Sequence, residues 1–135
     1  VVVGCTTVSA DQRYVKAEWL KEGVLYSNIS DYDATFEAVL SCNKVVVDSP
    51  RQFTIPVVMG LMAKEGLIGM DKVHGTIGEI VNGKKPGREN ASEKVFYSCL
   101  GLGVHDIVNA RRIYDEAKRQ GRGVPLQLWK EPYWA

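Results

Sequence analysis

The stretch "VVVGCTT", residues 1–7, decides the fold. A continuous apolar, β-branched run followed by a small polar cluster reads as a buried parallel strand and the loop at its carboxyl end. The signature returns in "GVLYSNIS" (23–30), "NKVVVDSP" (43–50) and "EKVFYSC" (93–99). Each run is short, rich in β-branched or aromatic residues, and stopped by polar, proline or glycine residues. Helical segments lie between them: "DATFEAVLSC" (33–42) and "RQFTIPVVMGLMAKEG" (51–66). The second is apolar on nearly every face and should close at Gly66 as a C′ glycine. Pro56 should sit in its first turn or kink it. In "GVHDIVNARRIYDEAKRQGRG" (103–123), Ile107, Ala110, Tyr114 and Ala117 form one stripe. Arg111, Arg112, Asp115, Lys118 and Arg119 take the other face, which predicts an amphipathic helix over 103–119 closed at Gly121. Strands alternating with helices predict an α/β architecture with a parallel sheet.

Composition narrows the function classes. The chain has 135 residues, 24% of them charged, and a net charge of +1. That balance offers no field for nucleic acid or an anionic membrane. The longest apolar run, Ile55 to Ala63, falls short of the roughly 18 residues of a membrane span. Cys5, Cys42 and Cys99 are odd in number and none stands at metal-ligand spacing, and the two histidines, His74 and His105, are far apart. No metal site is expected, and reduced thiols in a cytoplasmic protein are.

In a parallel sheet, ligands bind outside the carboxyl ends of the strands. Four places qualify: Cys5-Thr6-Thr7, Ser27 to Asp33, Asp48-Ser49, and Cys99 to Gly103. Small polar residues end strands in any fold, but four such loops on one edge describe a ligand crevice. The basic turn "NGKKPGREN" (82–90), with Lys84, Lys85 and Arg88, has the chemistry of a surface connection before the last strand.

The order "VVVGCTT … EWLKEGVLYSNIS … NKVVVDS … GEIVNGKKPGRE … VFYSCLGLGVHDIVNARRIYDEAKRQGRG" resembles the C-terminal half of the ornithine cyclodeaminase/μ-crystallin family, from Val1 to about Leu128. The pairing of "GEIVNGKKPGR" with a strand and "GLGVHD" carries the resemblance. It implies the second half of a Rossmann-like domain binding NAD or NADP over residues 1–100, with a C-terminal helix and tail over 101–135 returning to an N-terminal half. It also implies a homodimer acting on a small amino-acid substrate by cyclodeamination, imine reduction or oxidative cleavage. "NISDYDATFEAVL" and "FYSCLGLGVHD" look most like the branch that makes 2,3-diaminopropionate for siderophores, by oxidising an N-(2-amino-2-carboxyethyl)-glutamate.

By the same resemblance, Cys5, Thr6 and Thr7 match the loop on the nicotinamide-ribose side of the cofactor. Ile29 matches an apolar residue near the nicotinamide. Leu100 and Gly101 match the segment that closes over cofactor and substrate; Cys99 departs from the family's hydroxyl or proline there. The Ser-x-x-Asp pattern of the diaminopropionate branch places the family acid on Asp33; the cyclodeaminase branch has it after a Gly-Gly pair that this chain lacks, which leaves Asp31 as the second candidate. Oxidising an amino-bearing carbon makes an iminium, and a carboxylate nearby stabilises that charge and moves protons as water attacks. The plainer role for either aspartate is the N-cap of "ATFEAVL".

The G-x-G-x-x-G/A turn, the acid that grips the adenine ribose, and the basic residues for a substrate carboxylate are all missing from these residues. A parent chain of roughly twice this length or more is therefore expected, with a glycine-rich phosphate turn shortly before Val1. Two other readings stay open. One is a μ-crystallin-like protein that binds cofactor or a small ligand without turnover. The other is an unrelated α/β regulatory domain with Asp31, Asp33 and Asp48 as a Mg²⁺ or phospho-acceptor cluster.

Overall fold

The computed structural model describes residues 1–127 and 129–131. Leu128 and the last four residues of the tail expected over 101–135 lie outside the described residues. The chain divides into two compact units, Val1–Gly101 and Leu102–Ala135.

The first unit is built on five parallel strands: β1 (Val2–Gly4), β2 (Leu25–Asn28), β3 (Lys44–Val47), β4 (Gly75–Thr76) and β5 (Val95–Ser98). Their order across the sheet is β1-β2-β5-β3-β4, so β5 enters between β2 and β3. All four runs read as strands from the sequence are strands. The two residues of β4 escaped, because so short a strand carries no periodicity. Register aligns Gly4, Asn28, Ser98 and Val47 in one row. All four carboxyl ends therefore open on the same edge.

Side-chain alternation places the core. Tyr26 and Asn28 of β2 and Phe96 and Ser98 of β5 are buried, while Leu25, Ser27, Val95 and Tyr97 are half-buried on the opposite face. Tyr26 and Phe96 meet edge to face, with ring centroids 5.3 Å apart. Val39, Val45, Val47, Val58, Met59 and Met62 are among the residues that join them in the core.

Helix α1 (Phe36–Leu40) starts at Thr35, whose side chain accepts from the Ala38 N–H at 3.2 Å. Thr35, not Asp31 or Asp33, is thus the N-cap. Thr35→Ala should lower the unfolding free energy by about 1 kcal/mol. A denaturant titration checks this, and Thr35→Ser should behave as the parent.

The segment 51–66, expected as one helix, is two pieces. A 3-10 turn spans Pro50–Thr54, and α2 spans only Val58–Lys64. The cause is Pro56, which lacks an N–H and drives Ile55 into extended backbone (φ −124°, ψ 156°). Gly66 does close α2, with Leu67 N–H on the Met62 carbonyl at 2.9 Å and Gly66 N–H on that of Ala63 at 3.0 Å.

Helix α3 (Ile77–Val81) also escaped, although its signal was present: Thr76 and Glu79 form a reciprocal capping box. The basic turn behind it folds back on the chain. Lys85 Nζ donates to the His74 carbonyl at 2.7 Å, and Arg88 donates to the Glu93 carbonyl. Lys44 Nζ reaches over to Gly87 O at 2.7 Å and to Glu89.

In the second unit, α4 spans Gly103–Arg119, with Arg111–Asp115 and Glu116–Arg119 pairs along its polar side. It closes with Arg122 N–H on the Ala117 carbonyl at 2.8 Å, as Gly121 allows. No helix among the described residues is long and apolar enough to cross a membrane.

Candidate functional site

The loops after β1 and β2 are joined beyond the strands themselves. The Gly4 carbonyl accepts from Ile29 N–H at 2.8 Å and from Ser30 N–H at 3.2 Å. The two loops enclose a cavity of about 240 Å³. Cys5, Thr6, Thr7 and Val8 line it from one side, and Ile29, Ser30 and Asp31 from the other. Five residues singled out in the sequence therefore meet in one place: Cys5, Thr6, Thr7, Ile29 and Asp31. Leu100 and Gly101 stand apart from it, at the end of β5, where Cys99 N–H donates to the Asn28 carbonyl at 2.9 Å.

The two candidate acids face different ways. Asp31 is exposed and lines the cavity. Its backbone is held from behind: the Asp31 carbonyl accepts from Val58 N–H at 2.9 Å, and the neighbouring Tyr32 hydroxyl donates to the Pro56 carbonyl. The start of α2 thereby props the arch that carries the carboxylate.

Asp33 has no exposed surface. Its Oδ1 accepts from the Thr6 hydroxyl at 2.5 Å, and its Oδ2 accepts from the Thr6 N–H at 3.3 Å. With its proton committed to Asp33, the Thr6 hydroxyl accepts from Tyr14, 3.2 Å away. The Asp33 carbonyl takes Tyr14 and Val15 N–H groups at 3.1 and 2.9 Å. A Cβ on Gly4 would lie 2.6 Å from Asp33 Oδ2, so the strand end must be glycine for the carboxylate to sit there. Burial, and then the Asp33 charge, push the Tyr26 hydroxyl well above the usual phenol range. It stays a donor, to Asn28 Oδ1 at 3.1 Å, and Asn28 in turn donates to the Ser30 carbonyl at 2.5 Å.

The structure adds Tyr14, Tyr26 and Gln52 to the residues that shape this edge. Tyr14 and Gln52 act through Asp33 and Ser98, far along the chain, and Tyr26 through the buried row it shares with Asn28, so nothing in their sequence surroundings marks them. Asp31, Asp33 and Asp48 do not gather: no group of three acidic, histidine or cysteine side chains suited to a metal ion occurs among the described residues. Asp33 is taken by Thr6, and Asp48 by Gln52 and the Gly101 N–H.

The sequence model of the ornithine cyclodeaminase/mu-crystallin family matches residues 1–121. An N-((2S)-2-amino-2-carboxyethyl)-L-glutamate dehydrogenase of Staphylococcus aureus is 34% identical over 130 residues, which are 96% of this chain and 38% of that protein. A Thermococcus litoralis Δ(1)-pyrroline-2-carboxylate reductase, solved with NADH and L-proline, is 31% identical with a TM-score of 0.72, over 84% of this chain and 37% of that one. An archaeal alanine dehydrogenase dimer with bound NAD is 27% identical with a TM-score of 0.70, over 89% and 39%. The chain thus spans about two fifths of the length of these relatives.

Proposed function

The chain belongs to the ornithine cyclodeaminase/mu-crystallin family, and we propose that it forms the second half of the dinucleotide-binding domain of an NAD- or NADP-dependent amino-acid oxidoreductase. The observation that carries this reading is the cavity at the carboxyl ends of β1 and β2, with Asp31 and Ile29 on its wall. Its residues suit the nicotinamide end of the cofactor. Ile29, half of whose surface is exposed, offers an apolar face for a flat ring. The Ser30 hydroxyl is buried with no hydrogen-bond partner among the described residues, and so is left for a ligand's polar group. Cys5, Thr6 and Thr7 are small enough for a ribose to approach the backbone. In this reading the phosphates and the adenine ribose are held by residues outside these 135.

The bound dinucleotide would supply a two-electron hydride acceptor or donor. The chain's own contribution is at Asp31. Its carboxylate offsets the positive charge on a substrate carbon–nitrogen double bond. It takes a proton from the water that adds to that carbon and passes it to the departing nitrogen, releasing an amine and an oxo acid. The substrate is a small N-substituted amino acid, of the kind named for the Staphylococcus aureus relative. Run toward reduction, the same arrangement suits a cyclic imine such as that named for the Thermococcus relative. The assembly is read as a homodimer, in line with the dimer named for the archaeal relative, and the free cysteines suit the reducing cytoplasm.

A fluorescence titration of the full-length gene product with NADH and NADPH tests the cofactor. One should bind saturably, and N-substituted amino acids or cyclic imines should then drive its turnover. Absence of binding by both dinucleotides would overturn the proposal. Binding without turnover of any amino acid or imine would leave a μ-crystallin-like ligand carrier.

A further inference from the structure

The ends of β3 and β5 are tied by a buried polar pair. Asp48 follows β3 directly and is 6% exposed, and Gln52 is fully buried. Asp48 Oδ2 accepts from the Gly101 N–H at 2.7 Å, and Oδ1 accepts from the Gln52 amide. The same amide nitrogen donates to the Ser98 carbonyl at 2.8 Å. Ser49 makes this possible: its hydroxyl accepts from Arg51 N–H at 3.2 Å and starts the turn that brings Gln52 back. Both Gln52 partners are acceptors, so the amide can face only one way, and its oxygen is left buried without a partner among the described residues. A core built for stability alone avoids such an orphan. Two of these bonds land on Ser98–Gly101 and the third locks Asp48 to Gln52; the turn ends with Gly101 in the left-handed region at φ +81°.

We propose that Asp48 and Gln52 are positioning residues that hold the Cys99–Leu100–Gly101 turn at the height where Leu100 meets the dinucleotide. This rests on the reading that the turn closes over the cofactor. The carboxylate makes a charge-assisted bond to the one N–H whose direction fixes the turn. A shift of about 1 Å at such a contact is enough to cost orders of magnitude in rate.

The test uses the full-length protein and three variants. Asp48→Asn keeps the volume but sets an NH₂ against either Gly101 N–H or the Gln52 amide. Gln52→Met keeps the volume and removes both donated bonds, and it replaces Asp48→Asn if that variant fails to fold. Leu100→Ala reports on the turn itself. Dinucleotide Kd, kcat, KM and Tm are measured for each, with kinetics well below Tm. We expect a loss of about tenfold in dinucleotide affinity or kcat for all three. If Asp48→Asn and Gln52→Met lower only Tm while Leu100→Ala impairs binding, the turn reading stands and the positioning role is overturned. If Leu100→Ala changes neither Kd nor kcat, the turn does not meet the cofactor, and the proposal fails with that reading.

Discussion

Asp31→Asn in the full-length protein should lower turnover by about a hundredfold or more while leaving dinucleotide affinity nearly unchanged. The substitution keeps the size of the side chain and part of its hydrogen bonding, and removes only the charge and the basicity. Asp31 is exposed at the cavity, and its main chain is fixed by Val58 rather than by its carboxylate. The fold should therefore tolerate the change, and Tm should hardly move. Steady-state kinetics beside a dinucleotide titration separates the two effects. Near-normal turnover would remove the carboxylate from the chemistry.

Asp33 should give the opposite pattern. Asp33→Ala removes a fully buried carboxylate and, with it, both acceptors that hold Thr6. The unfolding free energy should fall by about 2–3 kcal/mol, the scale for hydrogen bonds to a buried charged group. Asp33→Asn retains one acceptor but opposes an NH₂ to a Thr6 donor. It should lose about half as much stability and weaken dinucleotide binding, because the Cys5–Thr7 loop is no longer pinned. Gly4→Ala should reproduce that loss by pushing the carboxylate away. Denaturant unfolding of the three variants checks this. An Asp33→Ala protein of parental stability would mean that the Thr6 contacts carry no weight, and a stable Asp33→Asn protein that binds dinucleotide normally but does not turn over would return the acid role to Asp33.

The pair shows where reading a sequence stops. "NISDYD" marks a polar loop past a strand and offers two acids; the family pattern favours Asp33, and nothing local says which of the two is buried. What separates them is long-range: Val58 holds the carbonyl of Asp31, while Tyr14 and Val15 hold that of Asp33. Those contacts turn one carboxylate outward and bury the other. The strands were legible for the converse reason, since a run such as "KVVVDS" states its burial and its end within a few residues. Helix 103–119 and its stop at Gly121 were equally local. The break at Pro56 was half legible, as proline announces an interruption without saying how much of the preceding segment leaves the helix. The Thr76–Glu79 box was a readable start that the short strand before it obscured. Gln52 sits on a turn among residues that look like a helix, and only its contact with Ser98, 46 positions away, gives it meaning.

A crystal structure of the full-length protein with its dinucleotide and an amino acid tests the central claim most directly. The nicotinamide ring should lie against Ile29 and the Cys5–Thr7 loop, with the Asp31 carboxylate turned toward the amino acid and Asp33 still bonded to Thr6. A ring bound elsewhere, or an Asp33 turned into the cavity with Asp31 pointing to solvent, would contradict it.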